Sequence, residues 1–226
     1  MISFLAILVL GFFLGMRHAT DPDHVIAITT IVTRQRGVGK AGLIGVLWGL
    51  GHTLTIFVVG AAIILLRVEI PPRAGLTMEL AVGLMLILLG VLNLSGVLRW
   101  FHERFGGQSR PESLGAYHTW RPLVIGIVHG LAGSAAVALL VMATITNPWW
   151  ATGYLLVFGG GTIAGMMLIT GAIAMSLNYA SSKFESWNRG MGIASGVLSM
   201  AFGLFLSYQI GFVDGLFTSH PQWTPR

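Results

Sequence analysis

The chain has 226 residues, 54% of them hydrophobic and 9% charged, with a mean hydropathy of +0.80. Soluble domains carry about 25% charged residues, so this composition excludes one and points to a polytopic membrane protein of helices rather than a β-barrel. The formal charge of +5 lies on Lys and Arg between apolar runs, which marks topology and not nucleic-acid binding, and the lack of cysteine excludes disulfides, thiolate metal sites and dithiol redox chemistry.

Six apolar spans are predicted, at about 2–33, 41–66, 76–98, 122–146, 151–177 and 190–212. Each exceeds the roughly 20 residues a helix needs to cross a bilayer. The fold class is therefore an all-α polytopic membrane protein, read as one transmembrane domain over 1–226. A charged loop at 99–121 separates a first half, about 1–98, from a second, about 122–212. Residues 2–16 lack the basic n-region of a signal peptide, and cleavage near Ala19 would cut a polar motif in two.

That motif lies in the first span. Arg17, His18, Asp21, Asp23 and His24 interrupt an otherwise apolar run. Ionisable groups at membrane depth are expensive and mark function by default. Imidazole with carboxylate suits divalent transition metals. His18, Asp23 and His24 read H-x4-D-H, and residues five and six apart on an unbroken helix point to different faces. One ion reaches all three only if the helix breaks. Pro22 supplies the break, and its ring clashes with the carbonyl of His18, four residues earlier. The spacing thus predicts a helix broken near Pro22 with the His18 carbonyl freed, a design recurrent in secondary transporters. The alternative is a Pro-kinked helix whose polar groups pair only with one another, Arg17 with Asp21 for instance. Asp21 has a second role open to it, as the acceptor that orients a ligand imidazole.

The second span carries Trp48-Gly49-Leu50-Gly51-His52-Thr53. His52 would complete a nitrogen-rich set of three His and one Asp, suited to nickel, cobalt or zinc. The third span opens near Glu79, expected at the interface, and holds Asn93. The fourth holds His129, followed by Gly130-Leu131-Ala132-Gly133-Ser134. His129 is a candidate ligand, a partner that orients one, or a pathway residue, with a satisfied structural histidine as the alternative; Ser134 is a candidate orienting or pathway residue, with helix–helix hydrogen bonding as the alternative. Helix–helix hydrogen bonding is the expected role of Thr162 and Asn93. Trp149 and Trp150 fit an interfacial belt, and His102, His118 and His220 are expected at the surface. Both lysines, Lys40 and Lys183, are expected in loops, so a retinal-type Schiff base inside the membrane is excluded.

Basic residues set the orientation. Arg34, Arg36, Lys40, Arg99, Arg104, Arg110, Arg121, Lys183 and Arg189 share one side of a six-span chain, against Arg67, Arg73 and Arg226 on the other. The nine are placed in the cytoplasm and both termini outside. The halves also repeat. Gly15-x-x-His18 aligns with Gly126-x-x-His129, Gly49-x-Gly51 with Gly159-x-Gly161, and Gly83-x6-Gly90 with Gly196-x6-Gly203, at offsets of 110 to 113 residues. Three spans per half predicts two inverted repeats with substrate bound near the midplane. Packing alone is the competing role for these glycines.

Neither a G-x-x-x-x-G-K-[ST] nor an H-E-x-x-H sequence is present, which argues against nucleotide hydrolysis through a P-loop and against an intramembrane metalloprotease. Arg17 to Val25 resembles the R-H-A-x-D-A-D-H-I signature of the nickel/cobalt transporter (NiCoT) family, with Pro22 where that family usually has Ala. Leu50-Gly51-His52-Thr53 is similar to the family's second signature, L-G-H-[ST]. The resemblance implies a nickel or cobalt permease whose metal is carried by His18, Asp23, His24 and His52. The family typically has eight spans with the motif on its second. Loss of the first helix would leave the N-terminus outside, as the charges indicate. His129 to Ser134 stands where larger members carry acidic signatures, a pattern that resembles the family's shorter, UreH-like branch.

Residues and resemblance together predict a transporter and not an enzyme. Its expected work is uptake of Ni2+, with Co2+ second, across a bacterial inner membrane by alternating access. The metal is cargo, and no cofactor is expected. The expected partners are the ion, the bilayer and a cytoplasmic metal-accepting protein. Since imidazoles bind metal only when deprotonated, uptake should weaken as pH falls toward about 6. Two alternatives stay open at this level. One is an intramembrane zinc-dependent enzyme. The other is a permease for an anion or organic solute, with Arg17 as anchor and the carboxylates as a proton relay.

Overall fold

In lipid a backbone must satisfy its own hydrogen bonds, and every regular element among the described residues is helical. The computed structural model describes residues 4–33, 37–66, 71–95, 116–131, 145, 147–183 and 187–223. The helices are α1 (Phe4–His18), α2 (Pro22–Val32), α3 (Val38–Leu66), α4 (Pro72–Leu94), α5 (Ala116–Leu131), α6 (Pro148–Lys183) and α7 (Trp187–Tyr208), the last continued by a π-turn over Gln209–Val213. Proline sets three helix starts. At the first helical position its missing N–H is no loss and its fixed φ is already helical, and Pro22, Pro72 and Pro148 all stand there.

Four helical segments, Val38–Ala62, Pro72–Leu94, Pro148–Ala180 and Gly190–Val213, are long and apolar enough to cross a membrane. α1 and α2, bent by 54° at their break, make a fifth crossing if taken as one. Six spans were expected. The missing one is the fourth, about 122–146, which is described only to Leu131 and at Ile145. The basic loop 99–121 lies outside the described residues up to 115, as does Ser134. Two helices overrun their apolar spans. Lys40, expected in a loop, lies exposed in the first turn of α3, and Lys183 is the last residue of α6. At the start of α3 the helix runs past its apolar stretch because the exposed Lys40 reaches water along its own stem.

Hydrophobic burial gives helices little reason to associate in lipid, so close backbone packing must. α3 runs antiparallel to α6, with Gly45 against Met166, Gly49 against Ile163 and Thr53 against Gly159. α1 lies parallel to α6, α5 parallel to α3, and α4 antiparallel to α7. Across these seams the contacts come in matched pairs. A Cβ on Gly15 would strike the Phe158 carbonyl and come within 2.8 Å of the Thr162 nitrogen; one on Gly126 would strike the Trp48 carbonyl and come within 3.0 Å of the His52 nitrogen. Gly161 abuts the Phe12 carbonyl as Gly51 abuts the Leu123 carbonyl, and Gly83 meets the Gly203 carbonyl as Gly196 meets that of Gly90.

Polar groups tie α2, α4 and α7 together. Thr30 donates to the Ser195 carbonyl at 3.2 Å, Ser199 to the Leu86 carbonyl at 2.8 Å, and Asn93 to the Gly192 carbonyl at 2.9 Å. Thr162, by contrast, bonds its own helix at Phe158. Phe4 stacks on Trp150 at 4.7 Å, so α1 and α6 start at one end of the bundle. The tail turns at Gly215 (φ 82°) and returns to α4, where Trp223 Nε1 donates to Glu79 at 2.8 Å.

Candidate metal centre

The break between α1 and α2 falls beside His52, the central residue of the 29-residue α3. At 1.5 Å per residue, each end of α3 is roughly 21 Å away. α1 therefore stops half-way along α3, with the negative end of its dipole and Arg17–His18 in its last turn.

Local hydrogen bonding explains the break, and it corrects one expectation. The His18 carbonyl is not freed. It accepts from the Asp21 N–H at 3.1 Å, while Thr20 N–H closes onto Arg17 at 2.8 Å. Pro22 lacks the N–H that would have continued α1, so the chain tightens into this turn and restarts. Asp21 stands at the N-cap of α2, where a carboxylate ordinarily takes a backbone N–H. It makes no such bond, and its Oδ2 lies 2.8 Å from His18 Nδ1 instead. Arg17 is exposed.

The two carboxylates set the histidine tautomers. His18 donates Nδ1–H to Asp21, and His24 donates Nδ1–H to Asp23 Oδ1 at 3.0 Å. Each Nε2 is then left with its lone pair, the form a metal needs. His18 Nε2 and His52 Nε2 lie 2.8 Å apart, so the one proton between them sits on His52. His24 Nε2 and His52 Nδ1 are buried without a hydrogen-bond partner. An orphaned polar atom in a packed interior costs about 1–3 kcal/mol, and the bare Nε2 of His24 beside His18 and His52 fits a site shaped for a cation.

Four imidazoles line the pocket. Ring centroids of His18, His24 and His52 lie 4.8 to 5.1 Å apart, and His129 lies 4.9 Å from His24. Their donor atoms form two triads, His18–His24–His52 and Asp23–His24–His129, each with its ligand atoms within 4.8 Å of one another. Trp48 and Phe158 wall the pocket. Trp48 lies parallel to His24 within 20° at 5.9 Å and meets His129 at 5.0 Å, and Phe158 packs on His18 at 5.8 Å. Sequence reasoning did not single out these two walls. Helical spacing held the signal: Trp48 lies four residues before His52, and Phe158 four before Thr162, its counterpart in the other half.

Residues 4–119 match the family of high-affinity nickel-transport proteins (NicO). Over 222 residues, 96% of either chain, the sequence is 36% identical to the urease accessory protein UreH of a Bacillus species. The chain belongs to the high-affinity nickel-transport protein family. Another relative is the nickel transporter NicT of Mycobacterium tuberculosis, 29% identical over 74% of this chain and 55% of NicT. The chloroplast protein FOR GROWTH AND FERTILITY 2 of Arabidopsis thaliana is 24% identical over 86% of this chain and 54% of its own length. The chain thus spans about half the length of these two longer relatives. No solved structure matches. As a member of a nickel-transport family the chain is a membrane transporter of a divalent transition metal, not an enzyme, and the intramembrane zinc enzyme is set aside.

Proposed function

We propose that this transporter imports Ni2+, with Co2+ as its alternative cargo, across the bacterial inner membrane, and that His18, Asp23, His24 and His52 replace the ion's water shell at mid-depth. The observation that carries this reading is the buried pocket of His18, His24 and His52, with His24 Nε2 lacking any partner. Imidazole suits nickel and cobalt, and the chain has no thiolate to divert the site toward softer ions. The rival solute permease would use Arg17 as its anchor, and Arg17 is exposed while Asp21 serves His18.

The chain is one transmembrane domain of six crossings, built as two inverted three-helix halves, about 1–98 and 122–212. The matched glycine contacts support this arrangement, since Gly15 on Phe158 and Thr162 is mirrored by Gly126 on Trp48 and His52. Alternating access follows from rocking one half against the other. The basic connections at 34–40, 99–121 and 178–189 face the cytoplasm and both termini face outward. A cytoplasmic metal-accepting protein receives the ion, a role compatible with a full-length relative named as a urease accessory protein.

The test is uptake of radioactive nickel into proteoliposomes by the wild type and by His24→Ala. Saturable uptake that the substitution abolishes, in a variant of unchanged elution profile, is the expected result. Equal flux through both would remove His24 from the site.

A further inference from the structure

His24 belongs to both triads, and they share nothing else. The first triad, His18, His24 and His52, comes from α1, α2 and α3, all in the first half of the chain. The second adds Asp23 of α2 and His129 of α5, and His129 is its one member from the second half. His129 is fully buried, and its Nε2 lies 3.6 Å from Asp23 Oδ2. That gap is too long for a hydrogen bond. It is an ordinary separation for two donors on one ion, since atoms each about 2.1 Å from a metal lie about 3–4 Å apart. Nε2 of His129 has no hydrogen-bond partner. A histidine held this way against a carboxylate is placed for a cation and not for its neighbour.

We infer that the cargo ion occupies two adjacent stations in turn, first His18–His24–His52 and then Asp23–His24–His129, with His24 common to both. The inference rests on the metal-transport reading above and adds the second station and the role of His129. A dication crossing low-dielectric surroundings cannot be released bare between sites. A shared histidine keeps the stations one imidazole ring apart, with Nε2 on the side of the first and Nδ1, beside Asp23, on the side of the second. The first station offers three neutral imidazoles, and the second adds a carboxylate that offsets the ion's charge. His129 brings the second station a ligand from the other half of the chain, so occupancy there ties the two halves together.

Binding and flux separate the stations. The full-length protein, its His129→Ala and His129→Gln variants and His18→Ala are titrated with Ni2+ in detergent and assayed for nickel flux in proteoliposomes. The expected result is one ion per chain and affinity within about threefold of wild type for both His129 variants, with flux reduced at least about tenfold. His18→Ala should lose binding by about 100-fold. His52→Ala should keep a weaker Co2+ complex whose visible spectrum reports a carboxylate ligand, and that complex should vanish in His52→Ala/His129→Ala. Loss of affinity in His129→Ala equal to that in His18→Ala would mean a single five-ligand site and overturn the proposal. Unchanged flux in His129→Ala, or full flux restored by Gln, would overturn it also, leaving His129 as packing. A wild type that neither binds nor transports Ni2+ would overturn the metal-transport reading itself, and the stations with it.

Discussion

The Nε2 atoms of His18 and His52 lie 2.8 Å apart, joined by one proton, although the residues are 34 positions apart in the chain. Two nitrogens bound at right angles to one ion, each about 2.05 Å from it, would be about 2.9 Å apart; tetrahedral angles would spread them to about 3.3 Å. Both separations lie within about 0.5 Å of this hydrogen bond, so one ion can take both nitrogens whichever geometry it prefers. A cation entering between them displaces the proton, which His52 can carry on its unpaired Nδ1.

Removing His52 should remove an ion ligand together with the buried hydrogen bond to His18. His52→Ala should lower Ni2+ affinity by about 100-fold or more, read by calorimetric titration of the detergent-solubilised protein. Thermal stability should fall by about 1–3 kcal/mol, because a buried side chain and the partner of His18 Nε2 are lost. Affinity within threefold of wild type would place the ion elsewhere.

Asp21 gives a finer test. Its carboxylate fixes the His18 tautomer, and at 39% side-chain exposure it contributes little packing. Asp21→Asn keeps the size but can present either an acceptor or a donor to His18 Nδ1, so the Nε2 lone pair is no longer guaranteed. Ni2+ affinity should fall about 10- to 100-fold while helix content by circular dichroism stays constant. An Asn variant with wild-type affinity would show that His18 needs no such partner.

Much of this site was legible in the sequence because charged groups at membrane depth are too costly to be incidental. H-x4-D-H with Pro22 located the break, and the chain order placed His52 opposite it. The fate of the His18 carbonyl was not legible, because proline predicts which bond is lost and not which N–H takes over. The pairing of Asp21 was also open, since Arg17 and His18 are adjacent in sequence and only the turn decides which faces it. Span limits followed hydropathy, yet α6 continues to Lys183, because backbone hydrogen bonding and not the apolar run decides how far a helix extends. The fold-back of Trp223 onto Glu79 left no local pattern at all, being a contact between residues 144 apart.

That tail contact should matter for order at one end of the bundle and not for cargo. Trp223 Nε1 donates to Glu79 at 2.8 Å and its indole covers Gly75, far along the chain from the histidines. Trp223→Ala removes a hydrogen bond with a net value of about 1 kcal/mol, together with the indole packing. Limited proteolysis should then cut the tail beyond Gly215 faster, at unchanged Ni2+ affinity. Equal cleavage rates would mean that the tail is held by other contacts.

The matched glycines allow a test of the two-half arrangement that is read by stability and not by metal binding. Gly15 lies against the Phe158 carbonyl and Gly126 against the Trp48 carbonyl, and in each case a Cβ would meet rigid backbone. Gly15→Ala and Gly126→Ala should each destabilise by about 1–3 kcal/mol, since the helices must part to admit a methyl group. Because the two seams are counterparts, the two losses should be similar. Gly160 is the control: it lies on the same helix as Phe158, and a Cβ there has no neighbour within 4 Å. Gly160→Ala should be neutral or slightly stabilising, as alanine is the better helix former by about 1 kcal/mol. Thermal unfolding in detergent reads all three. A large loss for Gly15→Ala beside none for Gly126→Ala would mean that the seams are not equivalent, and the inverted-repeat arrangement would lose its main support.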